Sequence, residues 1–274
     1  AIDLDPDIVF VTGWNEWIMG QFHEPWLSDN DSTQLAMVDQ YDREHSRDIE
    51  MDRDGYLDTY YLQLAHNIRR FKGAGARQPV SAEKTITVRG GGKQWRDVTP
   101  VFRSPRGLTL HRDWDGFGNC HYVNTSGRND ILEARVARDA DTVFFRVTCA
   151  APITPREGEG WMTLFLNTDR RQDTGWEGDD LVINRLPAPA GRATVEAYRR
   201  TAEPGSFTWQ SIGRAVLHVS GNSLTLALPR SFMPAGKLNF EFKWSDHMQQ
   251  PTVMDFYENG SAAPIGRFNF LYRE

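Results

Sequence analysis

The residues of this chain that are best suited to chemistry lie near its N-terminal end. Glu16 follows residues 8 to 11, an apolar run that predicts a fully buried strand. Parallel α/β proteins place reacting groups where such strands end, which makes Glu16 a candidate general base. The rings of Trp14 and Trp17 would make its surroundings apolar, and the amide of Asn15 could hold a sugar hydroxyl. The alternative is a core strand followed by a loop glutamate that has no role.

Residues 15 to 25, Asn-Glu-Trp-Ile-Met-Gly-Gln-Phe-His-Glu-Pro, resemble the Asn-Glu-Trp-His-Glu-Gly-x-x-x-Glu-Pro signature of glycoside hydrolase family 99 and the related WbsX-like proteins of polysaccharide gene clusters. The resemblance implies a (β/α)8 barrel that cleaves α-mannosidic bonds, with Glu16 as a base on the sugar 2-hydroxyl. The general acid of the family falls on Met19, whose thioether cannot donate a proton. Either another carboxyl supplies that proton or the family chemistry is absent. The residues assigned to substrate binding in this segment are Trp14, Asn15, Trp17 and Glu24.

Two carboxylates further along the chain are candidates for the missing acid. Asp42 and Glu44 lie in a stretch rich in titratable groups that follows residues 37 to 41, which are predicted to form a short strand. If residues 8 to 13 form the seventh barrel strand and this one the eighth, both carboxylates lie beside Glu16. A solvated charged loop with internal ion pairs is the alternative.

A helical pattern follows and completes the first predicted domain. Residues 57 to 71 carry apolar side chains at helical spacing and end in basic residues before Gly73, which predicts an amphipathic helix. We therefore expect residues 1–75 to be the C-terminal end of a (β/α)8 barrel, an α/β fragment with its last strands and closing helix. A strand at 8 to 11 would lack an earlier partner, so we expect a longer parent protein that supplies the missing N-terminal barrel portion.

The remaining residues predict an all-β domain. After a linker and first strand at 76–92, the apolar period changes from 3.6 to 2, as in the alternation of Val143, Phe145 and Val147. Many short strands separated by turns favour an antiparallel β-sandwich over residues 93–274. The alternation predicts a strand at 143–149, and Leu217 and Val219 are predicted to face a second strand across the hairpin turn Ser220-Gly221-Asn222. Further strands are predicted at 84–89, 131–138, 161–167, 180–185, 193–200, 238–244 and 265–271.

This second domain resembles the family 9 carbohydrate-binding modules and their DOMON-like relatives. The resemblance implies a β-sandwich that binds sugar through aromatic rings and often carries structural calcium. The stretches that carry it are Gln94-Trp-x-x-Val-x-Pro100, Tyr122-x-Asn-x-x-Gly-Arg-Asn-Asp130, Ala134-Arg-Val-Ala-Arg-Asp139, Thr168-Asp169, Thr174-Gly-Trp-Glu-Gly178 and Met254-Asp-Phe-Tyr-Glu-Asn-Gly260.

The loop at 169 to 180 is the candidate metal site. Asp169, Asp173 and Asp180 could supply hard oxygen ligands for calcium from a glycine-bent loop, and Asx turns without metal explain the same residues. Trp176 in this loop is either an exposed sugar platform or a ring folded back over the end of the sandwich.

Composition limits the class of partner. The chain has 274 residues, 9 of them tryptophan, and a formal net charge of -6. This charge predicts no basic surface for nucleic acid. The sequence also contains no apolar run long enough to span a membrane. We expect a carbohydrate-active protein of extracytoplasmic location, secreted or periplasmic, that binds a polysaccharide or oligosaccharide. Three functions remain open: part of a glycoside hydrolase, a non-catalytic glycan-binding protein, and a WbsX-like polysaccharide-assembly protein.

Overall fold

The chain forms two compact units. A computed structural model describes residues 2–15, 21–22, 36–37, 48–53, 55–109, 112–116, 119–199 and 205–274, with the backbone alone at 21–22 and 36–37. Unit 1 is Ala1–Ala76 and unit 2 is Arg77–Glu274. Of the described residues, 34% lie in strands and 12% in helices.

Unit 1 is built around one helix. Helix α1 (Thr59–Lys72) ends at Gly73, whose φ of 79° terminates the helical backbone, and three basic residues in its last turn complement the helix dipole. Strands β1 (Gln21–Phe22) and β2 (Ala36–Met37) form a short antiparallel pair. A one-turn 3-10 helix covers Ile2–Leu4. Neither helix in the described part of the chain is both long and apolar enough to cross a lipid bilayer.

The prediction of an α/β barrel fragment is wrong. Residues 8 to 11 lie outside any strand, and the side chains of Ile8 and Phe10 are 82% and 86% exposed. The described residues contain two helices, and their sheets are antiparallel. The physical reason is that a four-residue apolar run specifies a buried strand only where neighbouring strands supply partners for its backbone. The described part of unit 1 supplies none.

Unit 2 contains the remaining strands, which are short and joined by turns. The strands are β3 (Val101–Arg103), β4 (Arg112–Asp115), β5 (His121–Asn124), β6 (Ile131–Arg138), β7 (Thr142–Cys149), β8 (Thr163–Asn167), β9 (Leu181–Ile183), β10 (Arg192–Tyr198), β11 (Trp209–Ser220), β12 (Ser223–Pro229), β13 (Asn239–Asp246), β14 (Ser261–Ala263) and β15 (Phe270–Arg273). Helix α2 is Asp255–Glu258, and 3-10 helices cover Gly92–Trp95 and Arg230–Phe232. The predicted strand at 84–89 is wrong, because those residues form an extended segment and a turn.

One antiparallel sheet holds unit 2 together. Its strand order is β14-β13-β8-β9-β10-β11-β12-β7-β6-β3, and β15 pairs with β13 beside β14. The sheet curls until it is nearly closed like a barrel, and the backbone N–H of Ile131 on β6 donates to Ser261 Oγ on β14 at 3.2 Å. The predicted sandwich of two sheets is therefore corrected to one continuous curled sheet. Alternating residues of so long a sheet bury one face most completely when the sheet closes on itself.

The core lies inside the curled sheet. Along β13, Phe240, Phe242 and Trp244 point into the core, while Lys243 between them belongs to the opposite face. Phe102 of β3 reaches across to Phe242, with ring centroids 4.9 Å apart, so the two ends of the sheet meet through aromatic rings. Each buried phenylalanine contributes about 1.5–3 kcal/mol to stability.

Both cysteines are free thiols, and they lie in different surroundings. Cys120 is exposed, whereas Cys149 is buried and desolvation raises its pKa to about 12. Because the thiolate is the reactive form, we expect Ellman's reagent to modify one thiol per native chain rapidly and the second only in guanidinium. The variant Cys120→Ser should abolish the rapid phase. Rapid reaction of two thiols in the native protein would contradict the burial of Cys149.

Candidate functional site

The candidate site lies on the outer face of the sheet, at strands β8, β9, β10 and β13. Strand alternation places Leu164 and Leu166 in the core and Thr163, Phe165 and Asn167 on the outer face of β8. Although they face away from the core, all three outer residues are buried. A second layer of the protein therefore covers this part of the sheet.

Aromatic rings form much of that second layer. The ring of Phe165 lies 5.9 Å from Trp176 and 5.7 Å from Phe256, and Trp176 lies 4.9 Å edge-on from Phe207. Trp176 is 2% exposed, so it has the folded-back arrangement and offers no open face to a sugar. Phe207 is half-buried and forms the outermost ring of the cluster.

Buried charges lie among these rings. The Lys243 ammonium donates to the carbonyl oxygens of Pro264, at 2.7 Å, and Phe268, and it lies 5.1 Å from the centre of the Phe256 ring. Burial raises the pKa of Asp179 well above its usual range, and the positive charge of Lys243 opposes this rise only in part. Burial of charge is costly, so such groups are commonly found where a protein binds a ligand or does chemistry.

A bidentate ion pair holds the guanidinium of Arg185 in place. Arg185 Nη2 donates to Glu196 Oε1 at 2.7 Å and Arg185 Nε donates to Glu196 Oε2 at 3.2 Å. Arg185 Nη1 also lies 3.4 Å from Glu159 Oε2, and the guanidinium carbon is 5.9 Å from the centre of the Phe207 ring. With two carboxylates around it, this guanidinium is oriented and neutralised.

Three buried oxygen atoms on the outer face have no hydrogen-bond partner within the described residues. They are Thr163 Oγ1, Asn167 Oδ1 and Asp179 Oδ1. A buried polar atom left unpaired costs about 1–3 kcal/mol, so a group of them on one face points to a bound ligand or ordered solvent.

A cleft of about 230 Å³ opens onto this face. Thr163 and Phe165 form its floor, Arg185 and Phe207 form one wall, and Glu159 with residues 248 to 251 completes the lining. The cleft thus combines an aromatic ring, a fixed guanidinium, a carboxylate and an unpaired hydroxyl. Such a set can hold a small polyhydroxylated ligand by ring contact and hydrogen bonds.

The carboxylates of the predicted calcium loop take hydrogen bonds within the loop. Asp169 Oδ1 accepts from Arg171 N at 2.8 Å, Asp173 forms an ion pair with Arg171 at 2.7 Å, and Asp180 Oδ2 accepts from Thr168 N at 2.8 Å. The Asp169 contact is an Asx turn of the kind that the sequence left open as the alternative, whereas Asp173 pairs with a side chain and Asp180 accepts from a residue distant in the sequence. The described residues contain no cluster of three or more possible metal ligands of the His, Cys, Asp or Glu type. Calcium binding by this loop stays a prediction.

The predicted site residues of the N-terminal segment are only partly described by the structure. Trp14 is half exposed in unit 1, with its ring 6.3 Å edge-on from Tyr61, and Asn15 Nδ2 donates a hydrogen bond to Glu50. The predicted residues that lie outside the described part of the chain are Glu16, Trp17, Glu24, Asp42 and Glu44. Their proposed roles therefore stay predictions.

Sequence reasoning found Trp176 but missed the cleft, which is lined by its neighbours Phe165 and Phe207. A usable signal was present in residues 239 to 246, where Glu241, Lys243 and Ser245 alternate with large apolar side chains. That alternation predicts which residues face outward, but it does not say that a second layer covers them. The covering segment lies elsewhere in the sequence, so Lys243 reads as an ordinary surface lysine.

Comparison with known proteins identifies no family. No protein-family model matches the chain, and neither a curated protein nor a solved structure is significantly similar to it. The two resemblances drawn from short motifs therefore stay predictions.

Proposed function

We propose that unit 2 is a carbohydrate-binding domain and that the cleft over strands β8 and β9 is its ligand site. The observation that carries this proposal is the unpaired, buried hydroxyl of Thr163 at the floor of a cleft whose wall includes the ring of Phe207. Sugars present an apolar ring face beside hydroxyl groups, and this cleft offers a partner to each. The motif resemblance to family 9 carbohydrate-binding modules supports the same function.

The charges around the cleft favour a neutral ligand over an anion. The guanidinium of Arg185 is already paired with Glu196 and lies within reach of Glu159, so a phosphate or carboxylate would compete with two carboxylates for one cation. A sugar hydroxyl can instead accept from the guanidinium and donate to Glu159 without displacing an ion pair. The volume of the cleft suits one or two sugar rings better than a larger ligand.

Hydrolase and polysaccharide-assembly functions rest on the N-terminal motif alone. Their candidate catalytic residues, Glu16, Asp42 and Glu44, lie outside the described part of the chain, and no contact described above supports a catalytic pair. The carbohydrate-binding function needs neither, because it depends on residues of unit 2.

Two substitutions test the cleft. Thr163→Val keeps the shape of the side chain but removes the hydroxyl, and we expect affinity for a bound oligosaccharide to fall about tenfold, the worth of one hydrogen bond. Stability should not fall, because this hydroxyl has no partner among the described residues. Phe207→Ala removes the ring wall and should reduce affinity further. Isothermal titration with a panel of α-linked oligosaccharides measures both effects.

Thr148→Val on β7 is the matched control, since its hydroxyl lies 3.4 Å from Ser223 Oγ, on a strand outside the cleft. Its affinity should equal that of the unmodified protein. If an oligosaccharide binds and neither Thr163→Val nor Phe207→Ala weakens it, the cleft is not the ligand site. If no oligosaccharide of the panel binds, the proposed function itself fails.

A further inference from the structure

Strands β4 and β5 form a hairpin that hydrogen-bonds to no strand of the curled sheet. Trp114 on β4 is directly opposite Tyr122 on β5, so the two rings share one face of the hairpin. Trp114 is 74% exposed and Tyr122 is 49% exposed. Neighbouring exposed aromatic rings are costly to leave in water and mark an interaction surface.

The other face of the hairpin fixes its shape. His121 Nε2 lies 2.6 Å from Asp113 Oδ1, and His121 Nδ1 lies 2.7 Å from Asp115 Oδ1. One imidazole therefore links both carboxylates of β4 to β5. The hydrogen bonds with Asp115 and Asp113 raise the pKa of His121, which favours the cationic form that can donate to both.

The position of the Tyr122 ring depends on a glycine. A Cβ atom at Gly116 would lie 2.1 Å from the Tyr122 ring, so the ring can rest against the backbone only because residue 116 has no side chain. At the base of the hairpin, Asn124 Nδ2 donates to the carbonyl oxygen of Glu258 at 2.6 Å. The aromatic face is thus ordered before any ligand arrives, which lowers the entropic cost of binding.

Charge and size decide the class of ligand. The groove around the rings, about 610 Å³, is lined by Arg112, Asp113 and Asp115 beside the aromatic pair. With the imidazole of His121 cationic between the two aspartates, these groups carry no net positive charge. The groove therefore lacks the basic surface that nucleic acid and anionic membranes bind. A stable protein partner requires about 800 Å² on each side, far more than two rings on a hairpin with four residues in each strand. Flat rings edged by hydrogen-bonding groups suit the apolar faces of sugars.

We propose that Trp114 and Tyr122 form a second carbohydrate-contact surface, which stacks against sugar rings of a polysaccharide chain. This inference rests on the proposed function for the nature of the ligand, but it uses none of the cleft residues. The exposed rings can contact sugars in the middle of a long chain, whereas the cleft accepts a short segment. Engagement of both surfaces by one polymer would raise the apparent affinity for polysaccharide above that for oligosaccharide.

Affinity electrophoresis of the full chain in gels that contain α-mannan, dextran or amylose tests the surface. Trp114→Ala should weaken retardation by the recognised polysaccharide about tenfold, and Tyr122→Ala should weaken it in the same direction. Affinity for the short oligosaccharide bound in the cleft should not change. Val123→Ala is the matched control, because Val123 is 61% exposed on the opposite face of the same hairpin.

The outcomes separate the two sites. Retention of full polysaccharide affinity by both Trp114→Ala and Tyr122→Ala overturns the second surface and leaves the cleft intact. Loss of affinity in these variants with no effect of Thr163→Val supports the hairpin and overturns the cleft. Binding of anionic phospholipid vesicles that depends on Trp114 would assign the surface to lipid and overturn the proposal that it contacts carbohydrate. If the unmodified chain binds an oligosaccharide but none of the three polysaccharides, the second surface is overturned and the cleft remains. If it binds neither oligosaccharide nor polysaccharide, both proposals fail.

Discussion

Replacement of Asp246 by alanine is expected to lower the free energy of unfolding by about 3–5 kcal/mol. Asp246 is fully buried at the end of β13 and accepts three hydrogen bonds, from Arg128 Nε at 2.8 Å, Asn129 Nδ2 at 2.9 Å and Met162 N at 2.9 Å. Without the carboxylate, the guanidinium of Arg128 loses its buried anion, and the backbone N–H of Met162 loses its acceptor in the interior. Asn129 Nδ2 loses one of its two acceptors and keeps Thr154 Oγ1 at 3.0 Å. The loss therefore exceeds that of any single hydrogen bond.

Urea denaturation followed by circular dichroism measures the change. Glu133→Ala is the control: Glu133 Oε1 lies 2.7 Å from Arg135 Nε, but both side chains reach solvent, so its removal should cost less than about 1 kcal/mol. Asp246→Asn keeps the shape and loses the charge, and it should fall between the two. A cost for Asp246→Ala no larger than that for Glu133→Ala would show that the three contacts do not stabilise the fold.

Replacement of Gly175 by alanine is expected to cost about 2–5 kcal/mol and to disturb the ligand cleft. Gly175 has a φ of 67°, and a Cβ atom there would lie 2.0 Å from the carbonyl oxygen of Asp179. The backbone of Asp179 must move, and it exchanges hydrogen bonds of 3.0 and 2.8 Å with the backbone of Trp176. The substitution therefore strains the turn and shifts the layer of rings beneath the cleft.

Gly158→Ala separates these two effects. Gly158 has nearly the same φ, 65°, but no atom lies within 4 Å of where an added Cβ would be. Alanine there should lower the free energy of unfolding only through the strain of the left-handed backbone, by about 1–2 kcal/mol. Thermal unfolding monitored by tryptophan fluorescence compares the two variants. Equal melting temperatures would mean that the close approach of Gly175 to Asp179 is not a constraint in solution.

The local geometry of unit 2 could be predicted where short-range signals decide it. Leu217 and Val219 were predicted to face a second strand across Ser220-Gly221-Asn222, and strands β11 and β12 confirm this hairpin, with Gly221 at a φ of 58°. The turn requires a left-handed residue and glycine supplies it, so the sequence contains the reason. The apolar run at 8 to 11 has no turn residue or other local signal that determines its structure, and its prediction as a buried strand is wrong.

The closure of the sheet and the cleft could not be predicted in the same way. Whether β6 meets β14 depends on the summed twist of ten strands, which leaves no mark at any one residue. Thr163 lies on β8, Glu196 lies on β10 and Arg185 follows the end of β9, so only the pairing of these strands brings the three residues together. Trp176 was found because glycines flank it, but its burial depends on Phe165 and Phe256, which are distant in the sequence.

The curled sheet also sets the order in which unit 2 can form during synthesis. β8 and β13 are neighbours in the sheet, although four strands lie between them in the sequence, and β13 needs β14 and β15 on its other edge. Contacts between such distant residues slow folding, and a ribosome adds only about 5–20 residues each second. Strand β8 therefore emerges seconds before its partner β13, and during that time its outer face and the polar groups later buried there are exposed. The nascent domain must wait for β15, and during that time chaperones have their opportunity to bind.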